Sequence, residues 1–350
     1  MGSIGWYMFR TTMGAFLITV VSLTVVMWFT QAIREFDLIT SQRQTLFVFI
    51  GITGLFIPLL VMMIAPIALV LAVSHVLNKL SSDSEIIVMN AAGVSPWRLV
   101  RPFIAVALVV SLLVTTIAVY ISPRSLRELR DWGTQVRADI LTNIVQPGRF
   151  TYPAEQGEIV KNDTGSFLVL EKGSVQRIEA GQRDLRIVTF DRYAFDLSKF
   201  TGSPQSVVYN TREKYVWELM WPRPEDGLHG APLSEYRSEL HDRFVTPLYP
   251  LAFAILAYAF LGPPQTTRQS RTLALLALVG VVSLLRLIGF LSVIIGTRIP
   301  AVLAVQYIAL IGSIIAGSWQ ISRGRAIEPA AVVSKIAIAI TERFAKATAG

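Results

Sequence analysis

The sequence predicts an α-helical integral membrane protein with six transmembrane helices and an inserted antiparallel β domain. Three observations carry this reading. Apolar residues make up 53% of the chain and charged residues 16%, with a mean hydropathy of +0.52, too little polar surface to cover a water-soluble globule. The apolar residues are gathered into charge-free runs of about 20 residues, the length that crosses a bilayer. One central stretch, residues 123–243, is soluble in composition and holds strand-length runs between turn signals.

Thr11 to Ile33 forms the first span, following Arg10. It lacks the short apolar core and small-residue cleavage site of a secretory signal, so it is expected to be retained. Thr45 to Val73 forms the second, interrupted by Gly51, Gly54, Pro58 and Pro66, which predicts a kinked or tilted helix. A polar interruption follows, Ser81-Ser82-Asp83-Ser84-Glu85-Ile86-Ile87-Val88-Met89-Asn90-Ala91-Ala92-Gly93-Val94-Ser95-Pro96. Ser82 as cap with Glu85 three residues on predicts a helix start, and Gly93 then Pro96 predict its end, giving a helix over 83–92. Ile86, Met89 and either Val88 or Ala92 recur at helical spacing. Such a helix is either an ordinary capped surface helix or a docking element for a partner that moves the flanking spans.

Phe103 to Ile121 is the third span, which closes a first domain over 1–122. Ser122 and Pro123 then predict the start of a basic helix with Arg124, Arg127, Arg130 and Arg137 on one broad face, either solvated or against anionic headgroups. Strand candidates follow at Ile144 to Gln146, Glu158 to Val160, Phe167 to Leu170 and Leu185 to Phe195, with turns at Pro147-Gly148, Asn162-Asp163 and Lys172-Gly173. Trp217 to Pro232 reads as irregular, and Leu233 to Arg243 as a helix leading into the membrane. Three spans complete the second membrane domain, 244–322: Phe244 to Leu261, Leu273 to Ile295 and Ala301 to Ile321. The remainder, 323–350, is a tail with a weakly amphipathic helix from Pro329 to Phe344.

Orientation follows from the short loops. With the N-terminus inside, the cytoplasmic side collects Arg10, Lys79, Arg98, Arg101, Arg268, Arg271, Arg323 and Arg325, against Arg34, Arg43 and Arg298 opposite. Both termini and the 83–92 helix are therefore expected in the cytoplasm, and the β domain outside. The net charge of +8 has no basic, aromatic-interleaved soluble domain to carry it, so a nucleic-acid partner is not expected.

No lysine sits in a Gly-x-x-x-x-Gly-Lys-Ser/Thr setting, and no Gly-x-Ser-x-Gly elbow occurs. Cysteine is absent, and His75, His229 and His241 stand apart without ligand-spaced neighbours, so neither a metal nor a catalytic centre is expected. Two arginines near the outer side are the candidate ligand contacts: Arg286, within Leu284-Leu285-Arg286-Leu287-Ile288, and Arg34, within Gln31-Ala32-Ile33-Arg34-Glu35. Each either snorkels to headgroups or meets a phosphate in a cavity.

The run Leu77 to Pro96 resembles the coupling-helix signature of the LptF/LptG (YjgP/YjgQ) permease family. The layout of three spans, outer β domain and three spans is similar to that family, as are Val145-Gln146-Pro147-Gly148-Arg149-Phe150 and Arg237-Ser238-Glu239-Leu240-His241-Asp242-Arg243-Phe244. These last two runs place the chain nearer LptF. The resemblance implies an ABC-transporter permease in the bacterial inner membrane that extracts lipopolysaccharide. It further implies a partner permease (LptG-like), a cytoplasmic ATPase dimer (LptB-like), a single-span accessory protein (LptC-like) and a periplasmic bridge protein. ATP and magnesium would sit at the ATPase, with no cofactor in this chain. Ser82, Asp83, Glu85, Ile86, Met89 and Gly93 would form the ATPase-coupling surface, and Arg34 would lie near lipid phosphates; Arg286 joins it by its depth in the span. The family's periplasmic domain is a β-jelly roll of about eight strands, whereas four or five candidates occur here, which predicts a shortened, jelly-roll-like domain. Two other classes compete. A passive membrane-anchored scaffold does not need a proline-kinked span and a capped cytoplasmic helix, and a secondary transporter is expected to carry intramembrane acids, of which there are none between Phe244 and Ser322.

Overall fold

The computed structural model describes residues 2–40, 46–132, 154–162, 165–177, 186–196, 209–222, 232–263 and 268–323. They fall into two compact units, a helical one drawn from Met1–Asp37, Thr45–Leu126 and Asn210–Gly350, and a second drawn from Leu38–Gln44 and Arg127–Tyr209. The candidate strand at Ile144 to Gln146 and the tail helix from Pro329 to Phe344 lie outside the described residues.

The helical unit begins with α1 (Ser3–Thr40), α2 (Leu46–Gly54) and α3 (Ile57–Ser82). Both prolines of the second span are accommodated: the helix breaks between Gly54 and Ile57, which places Pro58 in the first turn of α3, where its missing N–H costs nothing, and Pro66 lies inside α3. The short α4 (Glu85–Ala91) leads to α5 (Pro96–Thr116). A separate basic helix does not start at Ser122 and Pro123. Instead α5 passes through a π turn at Ile117–Ile121 and continues helical to Trp132. The wider turn, in which the Ser122 N–H reaches Ile117, makes room for a proline at the next position and lets the chain run on.

After the second unit the chain returns through a 3₁₀ turn (Thr211–Glu213) and α6 (Val216–Met220). The first residues of the stretch expected to be irregular, Trp217 to Met220, are thus helical, and two acids order this return, each bonding a backbone N–H three residues earlier: Asn210 N–H to Glu213 at 2.9 Å and Tyr215 N–H to Glu218 at 2.7 Å. Then come α7 (Leu233–Val245), α8 (Leu248–Leu261), α9 (Arg268–Gly296) and α10 (Leu303–Arg323). Nearly every residue of α8 is buried, as expected of a helix apolar all round, and it packs on α3, α5, α9 and α10 as the centre of the bundle.

Among the described residues, five helices are long and apolar enough to cross a membrane: Ser3–Arg34, Ile50–Ser82, Pro96–Trp132, Arg271–Gly296 and Pro300–Arg323. The pair α7 and α8, bent by 43° at Thr246-Pro247, supplies a sixth if it counts as one span. The chain is thus a mostly helical, multi-pass membrane protein.

In the second unit, β1 (Ala154–Asn162), β2 (Gly165–Arg177) and β3 (Arg186–Asp196) form an antiparallel sheet in the order β1-β2-β3, with Glu158, Val169 and Ala194 in register. The expected turn at Lys172-Gly173 is absent. Strand β2 runs straight through it, because Gly173 pairs with Ala154 on one side and Phe190 on the other, and that double ladder outweighs the glycine's turn preference.

Candidate functional site

Two places in the helical unit gather the residues of interest: the α3–α4–α5 turn, and a cavity toward the opposite ends of α3 and α9.

The turn is built differently from its sequence signal. Ser82 does not cap α4; it is the last residue of α3, and its Oγ donates back to the Asn78 carbonyl at 3.0 Å. The hydroxyl sits one residue too early, because the chain first needs a left-handed residue to close α3. Ser84 takes that role with φ 58°, and α4 starts directly after it at Glu85, whose carboxylate lies in the first turn where the helix dipole favours it. The exit follows the expected pattern. Gly93 has φ 75°, its N–H reaches the Asn90 carbonyl at 3.0 Å, and the Val94 N–H reaches the Met89 carbonyl at 3.1 Å, a Schellman closure that requires a left-handed glycine.

The faces of α4 also need correction. Ile86 and Met89, expected on the docking surface, are only 4% and 8% exposed and belong to the main apolar core, so they anchor the helix to its own chain. The exposed apolar residues are Ile87 at 53% and Val88 at 64%. Ser82, Asp83 and Gly93 are exposed and Glu85 is partly so. At a spacing of 100° per residue, Ile86 and Met89 define the inner stripe, and their neighbours point away from it.

The cavity holds about 470 Å³. One wall is apolar, with Leu59, Met62, Met63 and Ile67 of α3 and Phe290 of α9; the other carries Arg212, Glu239, Asp242, Arg243, Tyr249 and Arg286. Arg286 does not snorkel away from the bundle. Its Nη2 donates to the Met63 carbonyl at 3.2 Å and its guanidinium lies 4.3 Å from the Tyr249 ring centroid. Gly289, one turn further on, lets the Tyr249 hydroxyl come against the α9 backbone, where a Cβ would collide with it. Arg34 is exposed on α1 and is not among the residues lining this cavity.

The neighbouring Arg243 is used differently. It is 6% exposed, with Nε on Glu239 at 3.0 Å, Nη1 on the Lys214 carbonyl at 2.6 Å and Nη2 on the Arg212 carbonyl at 3.0 Å. Lys214, itself buried, donates to the Tyr236 hydroxyl at 2.8 Å. This clasp fastens the 210–215 segment to α7. Sequence reasoning passed over it; the Glu239/Arg243 spacing of four on one helix was the available signal. It also passed over Arg271, which bonds the Asn78 side chain and the Leu77 carbonyl, and nothing local announces that pairing.

A bundle with five to six apolar spans among the described residues, a half-apolar, half-charged cavity at one end and a helical turn at the other, defines a multi-pass membrane protein with a cavity between its helices. Residues 6–153 and 149–323 match the family described as lipopolysaccharide export system permease LptF/LptG, and the chain belongs to that family. It is a permease component of the lipopolysaccharide export transporter. A curated relative, the uncharacterized protein RP871 of Rickettsia prowazekii (strain Madrid E), is 21% identical over 302 residues, covering 75% of this chain and 83% of the relative.

Proposed function

We propose that this chain is one half of a permease pair driven by a cytoplasmic ATPase dimer, and that it lifts lipopolysaccharide from the outer leaflet of the inner membrane to a periplasmic bridge. The observation that carries the proposal is the α3–α4–α5 turn. Ile86 and Met89 fix α4 to the core while Asp83, Glu85, Ile87 and Val88 are left to a partner, the arrangement expected of a helix that must be pushed without coming loose. In this reading both termini and α4 are cytoplasmic, 1–122 and 244–322 are the membrane domains, and 123–243 is the periplasmic domain that extends a jelly roll toward the bridge. A single-span accessory protein completes the assembly, and ATP and magnesium are bound by the ATPase.

Mechanically, closure of the ATPase dimer presses on α4. Because α3 and α5 flank it directly, the push reaches the spans that wall the cavity. An amphiphile fits that cavity by chemistry: acyl chains against Leu59, Met62, Ile67 and Phe290, and phosphates against the guanidinium of Arg286, with Arg34 serving the same groups from outside it.

The test is co-purification in mild detergent of the wild-type chain and Glu85→Arg with the co-expressed ATPase. Loss of the ATPase from the variant alone, with membrane insertion intact, is the expected result. Recovery of full ATPase binding and lipid transport by Glu85→Arg would overturn the role of α4. Absence of the ATPase from both forms would favour the alternative of a membrane-anchored scaffold.

A further inference from the structure

Helices α3 and α9 run antiparallel, yet each has its main backbone neighbours elsewhere: α3 against α8 and α5, α9 against α10, α8 and α7. Two long side chains nevertheless tie them together, and both are arginines of α9. At the end next to the coupling turn, Arg271 places Nε on the Asn78 side chain at 2.7 Å and Nη2 on the Leu77 carbonyl at 2.9 Å. At the other end, Arg286 reaches the Met63 carbonyl at 3.2 Å. The two ties lie about 20 Å apart along either helix, at about 1.5 Å per residue.

The lower tie has the features of a strut. It is bidentate, with distances in the charge-assisted range, and it engages one side chain and one main-chain oxygen on consecutive residues of α3. Both acceptors are neutral, so the tie does not depend on the protonation of a carboxylate. It grips α3 within its last two turns, just before Asp83 and Glu85, and the α9 helix it belongs to carries Arg286 at the cavity.

We propose that Arg271 is a positioning residue that makes α9 move with the coupling end of α3, so that a displacement of α4 is delivered to Arg286 in the cavity. Arg271 is not among the residues lining the cavity. Without it, α3 is still pushed, but α9 and its cavity arginine lag behind. The inference rests on the permease reading given above and deepens it.

The experiment has two arms. In proteoliposomes holding the assembled transporter, lipid moved per ATP hydrolysed is compared for wild type, Arg271→Ala, Asn78→Ala and Asn78→Asp. Arg271→Ala is expected to lower that ratio roughly five- to tenfold while ATPase co-purification is unchanged. Asn78→Ala, which spares the Leu77 carbonyl, lowers it less, and Asn78→Asp, which keeps the acceptor, restores it. In the second arm, spin labels are placed on the chain alone at His75→Cys and Leu273→Cys, a clean pair because the protein has no cysteine of its own. Their distance distribution is expected to broaden on Arg271→Ala. A wild-type transport ratio in Arg271→Ala, or an unchanged distance distribution, overturns the strut. The distance arm needs no partner, so a failure of the ATPase to associate with wild type counts against the permease reading and leaves the strut to be decided by the labels.

Discussion

The α3–α4–α5 turn and the cavity wall are both built on α3, and they treat their polar groups in opposite ways. At the turn, the chain anchors itself with apolar side chains and backbone hydrogen bonds: Ile86 and Met89 go into the core, Gly93 and Val94 close the helix on main-chain oxygens, and the charged Asp83 and Glu85 are left outward. At the cavity, the charges are turned in and bonded to the protein: Arg243 is held by Glu239 and two carbonyls, while Arg286 commits Nη2 to one carbonyl and its face to Tyr249. Residue type alone does not reveal which groups remain for a partner. Ile86 and Ile87 are the same residue with opposite fates, and so, at the cavity, are Arg243 and Arg286.

Six substitutions at five residues break or sharpen this contrast. The largest effect is expected from Arg243→Ala, which leaves the buried Lys214 carbonyl and the part-buried Arg212 carbonyl without their donor and Glu239 with only Arg212 at 4.0 Å; a loss of about 3–5 kcal/mol should appear as a much lower thermal midpoint in detergent. Arg243→Lys should recover little of it, since an ammonium cannot span three acceptors in one plane. Next is the pair Ile86→Ala and Ile87→Ser. The first should cost about 2–4 kcal/mol of stability yet still capture the ATPase at low temperature, whereas the second should change stability by no more than about 0.5 kcal/mol and abolish capture. The reverse outcome would restore Ile86 to the docking surface. Gly289→Ala should cost about 1–3 kcal/mol by driving the Tyr249 ring from under Arg286, read as a lower midpoint together with weaker lipid binding. The smallest effect is a gain: Ser84→Gly relieves the left-handed backbone at the α3–α4 junction and should raise stability by about 1 kcal/mol without altering transport.

Several elements were legible in the sequence because their signals are one-dimensional. Hydropathy runs located the spans, since a bilayer sets a length that any apolar helix must meet. Gly93 announced the end of α4, because few residues other than glycine take a left-handed closure cheaply. The capping serine did not announce its start. Ser82, Ser84 and Glu85 all fit a helix start by composition, and only the competing need to close α3 decided that Ser84 would turn left-handed and that Ser82 would bond backward. Likewise Ser122-Pro123 carries a helix-start signal, but a π turn upstream absorbed the proline.

The sequence by itself determined the membrane class, the positions of the apolar helices and the place of the polar turn between the second and third spans. These depend on how residues are ordered along the chain and on the solvent they must meet. Only the tertiary structure decided which side of α4 faces inward, that Arg286 lines a cavity and bonds the Met63 carbonyl, and that Arg271 reaches across to Leu77 and Asn78. Each of these depends on which helices become neighbours, and contacts between residues some two hundred positions apart leave no trace in local spacing.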